Sequence, residues 1–168
     1  MKYIDRRESI VKLLRENNEA IKGLDLANRF GVTRQIIVKD IAILRAKGNN
    51  IIATPDGYIY NIDINRVKSI IAVNHSVEKM IEELQIVVKY GGIIENVIVE
   101  HPLYGEIIGN MMIKNLNDLN KFEKSFKSAE AKPLSELTNG IHLHIISANT
   151  EEDIYEIKRE LEEKGFSL

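Results

Sequence analysis

The sequence predicts an α+β chain: an N-terminal winged helix-turn-helix, then a small, mainly antiparallel sheet domain with helices, running β-α-β-β-α-β-α. Three observations carry this. Apolar residues recur at helical spacing in the first part and are interrupted by a glycine turn. In the second part, β-branched runs alternate with amphipathic helical stretches. The charge also changes sign near the middle: residues 1–65 hold 11 Lys+Arg against 8 Asp+Glu, and residues 66–168 hold 12 against 17. The expected domains are 1–63 and 67–168, with the polar stretch Asp63 to Arg66 as hinge, and the basic half is where nucleic acid is expected.

From Arg6 to Asn17, Ile10, Val11, Leu13 and Leu14 form one helical stripe. A short helix from Gly23 to Phe30 carries Leu24, Leu26, Ala27 and Phe30, and Gly31 follows as the residue able to take the positive φ of a tight turn. Thr33 is an N-cap for the third helix, which runs to Lys47 and is expected to bury Ile36, Ile37, Ile41 and Leu44. Thr33, Arg34, Gln35 and Lys39 lie at its exposed start and are the candidate DNA contacts: Arg suits guanine, Gln suits adenine, and Lys suits a phosphate. Residues Asn50 to Ala53 and Tyr58 to Asn61 read as strands joined by Thr54-Pro55-Asp56-Gly57, the wing.

Beyond the hinge, Val67 to Val73 reads as a strand and Val77 to Tyr90 as a helix closed by Gly91-Gly92. Two further strands, Ile93 to Glu100 and Glu106 to Ile113, flank His101-Pro102-Leu103-Tyr104-Gly105. Asn117 to Phe126 is a helix with Leu119, Phe122 and Phe126 inward. After a looser stretch from Ser128 to Asn139 comes the strand Gly140 to Ile146, then a helix from Glu151 to Lys164 with Ile154, Ile157 and Leu161 inward. A split β-α-β pattern of the ferredoxin-like kind accommodates this order.

The chain has no cysteine, so metal chemistry falls to His, Asp and Glu, and there are four histidines. In a strand, His142 and His144 share one face. That face is either the wet side of a half-exposed strand or half of a metal site. Glu83 borders the buried stripe of its helix, whereas Glu82 lies on the solvated side. A carboxylate at a core edge needs a partner. Packing of sheet on helix can bring His75, Glu83, His142 and His144 together, three nitrogens and one oxygen suited to nickel, zinc, iron or manganese. His101 and Tyr104 are either ordinary loop residues or part of a ligand-binding pocket. The sequence lacks a membrane-length apolar run and a signal peptide, so a soluble cytoplasmic protein is expected.

Three stretches resemble the niacin-responsive transcriptional repressors of bacteria, which join a winged helix-turn-helix to a three-histidine domain. They are Thr33 to Ile41 with Ile52 to Tyr58, His101-Pro102-Leu103-Tyr104-Gly105-Glu106, and Pro133 to His144. The resemblance implies a repressor of genes for NAD synthesis and niacin uptake that acts as a homodimer on double-stranded operator DNA, with nicotinic acid as co-repressor. The family's metal ligands fall on His75, Glu83, His142 and His144. Two rival readings are a repressor that senses the metal itself and a metal-dependent hydrolase, which a three-histidine, one-glutamate site permits.

Overall fold

The computed structural model describes residues 3–62 and 65–168. The chain divides into two compact units, residues 1–64 and 65–168. Of the expected hinge, Asp63 and Ile64 lie outside the described residues. Arg66 belongs to the second unit, where its guanidinium donates to Asn149 Oδ1 and to the carbonyls of Gly91 and Ser147.

The first unit holds α1 (Tyr3–Glu16), α2 (Gly23–Phe30), α3 (Arg34–Ala46) and the hairpin β1 (Ile51–Thr54) with β2 (Gly57–Tyr60). Gly31 ends α2 in the left-handed conformation at φ 62°, its N–H closing back on the last turn. Two residues later Thr33 caps α3, its Oγ1 accepting from the Ile36 N–H at 3.3 Å. Ile10, Leu14, Leu26, Ala27, Ile37, Ile41, Leu44 and Ile51 form the core. Ile36 departs from expectation: it is 37% exposed, as Val38 is 45% and Leu24 58%. The buried stripe of α3 runs Ile37, Ile41, Leu44 at i, i+4, i+7, and Ile36 stands about 100° off it. Asp40 completes the stripe and is buried, because Arg6 Nε reaches it at 2.7 Å and Arg7 Nε at 3.5 Å. The wing is tied back by Ile21 and Tyr58, which exchange backbone hydrogen bonds of 2.9 and 2.8 Å. Gly57 is required there, since a Cβ would stand 2.4 Å from the Ile21 carbonyl oxygen.

The second unit runs β3 (Val67–Asn74), α4 (Met80–Lys89), β4 (Ile93–His101), β5 (Gly105–Ile113), α5 (Leu116–Ser128), β6 (Ile141–Ala148) and α6 (Glu151–Glu163). The expected Val77 to Tyr90 helix opens as a 3-10 turn, Val77–Lys79, and the looser stretch contains another, Leu134–Thr138. The sheet order is β3-β6-β4-β5 with every neighbouring pair antiparallel. Both β-α-β units are therefore split: β6 lies between β3 and β4, and β4 lies between β6 and β5. The three helices cover one face, burying Leu84, Val87, Leu119, Ile154, Ile157 and Leu161 against Ile71, Val73, Ile94, Ile113 and Ile146. Thr150 begins α6 with a reciprocal capping box to Asp153. β4 carries a bulge between Ile94 and Asn96 that shifts its register against both neighbours.

Candidate metal centre and nucleic-acid interface

β6 places His142 and His144 on the helix-covered side of the sheet, where they are only 4% and 2% exposed. The wet-face alternative for this pair therefore does not hold. His75 follows the end of β3, which pairs Asn74 with Ile141 and so brings His75 to the start of β6. Glu83, in the first turn of α4, points down onto the same patch and is 0% exposed. It lies deeper than the core edge that helical spacing assigns to it. Glu82, its neighbour, is exposed and faces Lys164 at 3.5 Å.

The four side chains converge on one carboxylate oxygen. Glu83 Oε2 is 3.2 Å from His75 Nε2, 3.4 Å from His144 Nε2 and 4.0 Å from His142 Nε2. One donor atom from each of His75, Glu83 and His142 forms a mutual set within 4.8 Å. His144 stands outside that set but within reach of the same carboxylate.

Each imidazole is oriented from behind. His75 Nδ1 donates to Ser76 O at 2.9 Å, His142 Nδ1 to Gly140 O at 2.8 Å and His144 Nδ1 to Asn96 O at 2.6 Å. A carbonyl oxygen only accepts, so all three Nδ1 atoms carry hydrogen and each Nε2 is turned to the centre, the arrangement usual for metal-ligating histidines. Local structure provides these carbonyls. Gly140 has φ 97° in the tight entry to β6, with Asn74 Oδ1 and the His75 carbonyl each 2.7 Å from where its Cβ would be. Asn96 is freed by the β4 bulge: its side-chain Oδ1 takes the Ile145 N–H, leaving its backbone carbonyl to His144.

Electrostatics agree with this geometry. Burial would raise the Glu83 carboxyl, but the charge of His144 and the imidazoles of His142, His144 and His75 hold it well below 4.5. Burial would lower His75 and His144, yet the Glu83 carboxylate outweighs it and holds both above 6.5. Even so, Glu83 Oε1 and His144 Nε2 are buried without a hydrogen-bond partner. Two orphaned donor atoms beside a set of nitrogen ligands and one anion suit a divalent transition metal, so these residues fit the group.

His101 and Tyr104 lie at the same end of the sheet, where β4 ends and β6 begins. His101 Nδ1 accepts from the N–H groups of Leu103 and Tyr104 at 3.2 and 3.4 Å, the two rings lie 5.0 Å apart, and Tyr104 is 70% exposed. Their visible contacts thus serve the hairpin turn.

At the other candidate site, Thr33 spends its hydroxyl on the cap of α3, while Arg34, Gln35 and Lys39 are exposed along that helix. Val38, one turn beyond Arg34 and beside Lys39, shares their face. In the sequence Val38 has no assigned role, since an apolar residue outside the expected buried set of Ile36, Ile37, Ile41 and Leu44 carries no signal of its own.

A model of the helix-turn-helix domain matches residues 6–59, and a model of the 3H domain matches residues 68–168. Together these define a DNA-binding transcription regulator with a 3H domain. The chain is 44% identical over 164 residues to the probable transcription repressor NiaR of Thermotoga maritima, covering 98% of this chain and 94% of that protein. It is 37% identical over 169 residues to the transcription repressor NadR of Bacillus subtilis, covering 98% and 93%. The chain belongs to the NiaR-type family of transcription repressors. No helix among the described residues is long and apolar enough to cross a membrane.

Proposed function

We propose that this repressor acts on genes of NAD synthesis and niacin uptake, with nicotinic acid as co-repressor and a divalent metal held by His75, Glu83, His142 and His144. The observation that carries the metal reading is the set of three imidazoles, each locked through Nδ1 to a backbone carbonyl and turned toward one buried carboxylate. Glu83 supplies the only negative charge among the four, and burial keeps competing water away. Bound there, a divalent cation would provide a Lewis-acidic position for an anionic ligand such as a carboxylate. His101 and Tyr104, at the same end of the sheet, are proposed as ligand contacts.

In this reading residues 1–63 form the DNA-binding domain, with Thr33, Arg34, Gln35 and Lys39 toward the operator, and residues 67–168 form the regulatory domain. Helix-turn-helix proteins read two half-sites through a dimer, so the working unit is a homodimer in the cytoplasm on a palindromic duplex. Ligand binding then shifts the population of settings of the two winged domains.

Elemental analysis of the purified chain, followed by gel shifts on DNA upstream of NAD-synthesis or niacin-transport genes, tests both parts. About one metal per chain is expected, with operator binding tightened by nicotinic acid. Unchanged operator affinity sinks the co-repressor. The orphaned donors of the centre also favour a second reading in which the metal is itself the signal. Chelation would then abolish DNA binding and nicotinic acid would have no effect.

A further inference from the structure

We propose that the helix-free face of the sheet in residues 65–168 is the surface on which a second copy of this chain docks, an inference that rests on the homodimer reading above. β6 inverts the usual pattern of a one-sided antiparallel sheet. Its histidines point to the helix side, while Ile141, Leu143 and Ile145 point to the open side. Strand pairing sets Ile70 beside Ile145, and Ile98 between Leu143 and Ile108, on that same open side. Ile70 is 60% exposed, Ile108 54% and Ile141 49%, the making of one apolar patch rather than scattered surface residues.

The size of the face suits a dimer. Four strands about 4.8 Å apart, each about eight residues long at about 3.3 Å per residue, give about 500 Å² in projection. The corrugated side-chain surface exposes more than its projection, approaching the roughly 600–1,000 Å² per partner of a stable interface. Charge fixes the orientation. Glu100 and Glu106 are directly cross-strand and exposed at one end of the face, an unfavourable like-charge pair. Lys68 stands at the opposite end, with Nζ 3.2 Å from Glu95. Lys68 on β3 and Glu106 on β5 stand at diagonally opposite corners of the face, so a two-fold axis lying between the sheets, oblique to the strands and perpendicular to that diagonal, sets Lys68 of each copy over Glu106 of the other, a closed isologous contact.

The test is the mass of the full chain by size exclusion with light scattering. Wild type is expected at twice 19.2 kDa and Ile70→Glu with Ile108→Glu at 19.2 kDa, with unchanged far-ultraviolet circular dichroism, because both side chains are already largely exposed. Lys68→Glu is expected to weaken self-association at least tenfold, and adding Glu106→Lys to restore it; this pair decides the matter should the isoleucine variant lose its fold. A double variant that stays dimeric, or a Lys68→Glu chain that associates as wild type, overturns the proposed face while the homodimer reading stands. A wild-type chain that is monomeric at tens of micromolar overturns both.

Discussion

Replacing Glu83 by Gln keeps the shape of the side chain and removes the only anion from the centre. Two effects follow. Without metal, the buried carboxylate no longer balances the raised His75 and His144. Breaking a buried pair of this kind costs about 3 kcal/mol, the low end of the usual range, because the amide still fills the site. With metal, the loss is larger. Removing an outer-shell partner already weakens metal binding by about 10–100-fold, so losing a direct charged ligand raises Kd by at least the upper figure. Metal at about 100 times the wild-type Kd stabilises the folded chain by about 2.7 kcal/mol, and after a hundredfold rise in Kd the same concentration contributes about 0.4 kcal/mol. For a unit of about a hundred residues, where 1 kcal/mol shifts Tm by roughly 4–8 °C, the metal-induced rise falls from more than about 10 °C to about 3 °C. Thermal melts followed by circular dichroism, with and without zinc or nickel, measure this on the transition of residues 65–168. A Glu83→Gln chain with the wild-type metal-induced rise refutes the reasoning.

Three further outcomes are expected. The metal-free stabilisation from His75 and His144 is complete below pH 6.5 and lost as pH rises through their raised values, while that from Glu83 is complete above pH 4.5 and lost as pH falls through its depressed value. Metal-free stability from this centre therefore peaks between pH 4.5 and 6.5, whereas metal affinity keeps rising until pH has passed the raised histidine values; calorimetric titrations giving one affinity from pH 5.5 to 8.5 contradict this. Gly140→Ala touches no ligand atom, but its Cβ meets the His75 carbonyl oxygen and Asn74 Oδ1 at 2.7 Å. Metal affinity by chelator competition should drop about 10–100-fold, and an unchanged value means that the carbonyl scaffold is dispensable. Arg34→Ala should lower operator affinity by about 1–3 kcal/mol and relax base preference, whereas Lys39→Ala should weaken all duplexes alike and reduce the salt slope by about 1. Binding isotherms on operator and scrambled DNA at several salt concentrations separate the two.

Where local chemistry decides, the chain is readable. Gly31 and Thr33 announce the turn and the start of α3, and Pro55 to Gly57 announce the wing, because each supplies a backbone geometry that few residues favour. The shared face of His142 and His144 follows from the period of a strand. Which face is buried does not follow, because Ile141, Leu143 and Ile145 are better core residues than histidines and only helix placement settles the question. Glu83 is legible as a border residue of α4, but its complete burial depends on imidazoles brought from β6 and from the residue that follows β3. Asp40 shows the same limit: it lies in the apolar stripe of α3, and the arginines that make its burial tolerable stand a full 34 positions earlier for Arg6. Ile36 errs the other way, since an apolar side chain next to a buried helical stripe looks like core until the third dimension is known.

The bulge in β4 has a consequence for how this centre can vary. Removing one residue from a regular strand turns every following side chain to the opposite face, which a buried sheet does not survive. Here Ile94 pairs with Ile146 and Asn96 with the adjacent Ile145, so Glu95 is the surplus position, and its loss would leave Val97 and Ile98 on their present faces. What would change is the backbone carbonyl that a ladder defect leaves to His144. The orientation of His144 is thus open to adjustment by chain length alone, with His75, Glu83, His142 and His144 all kept.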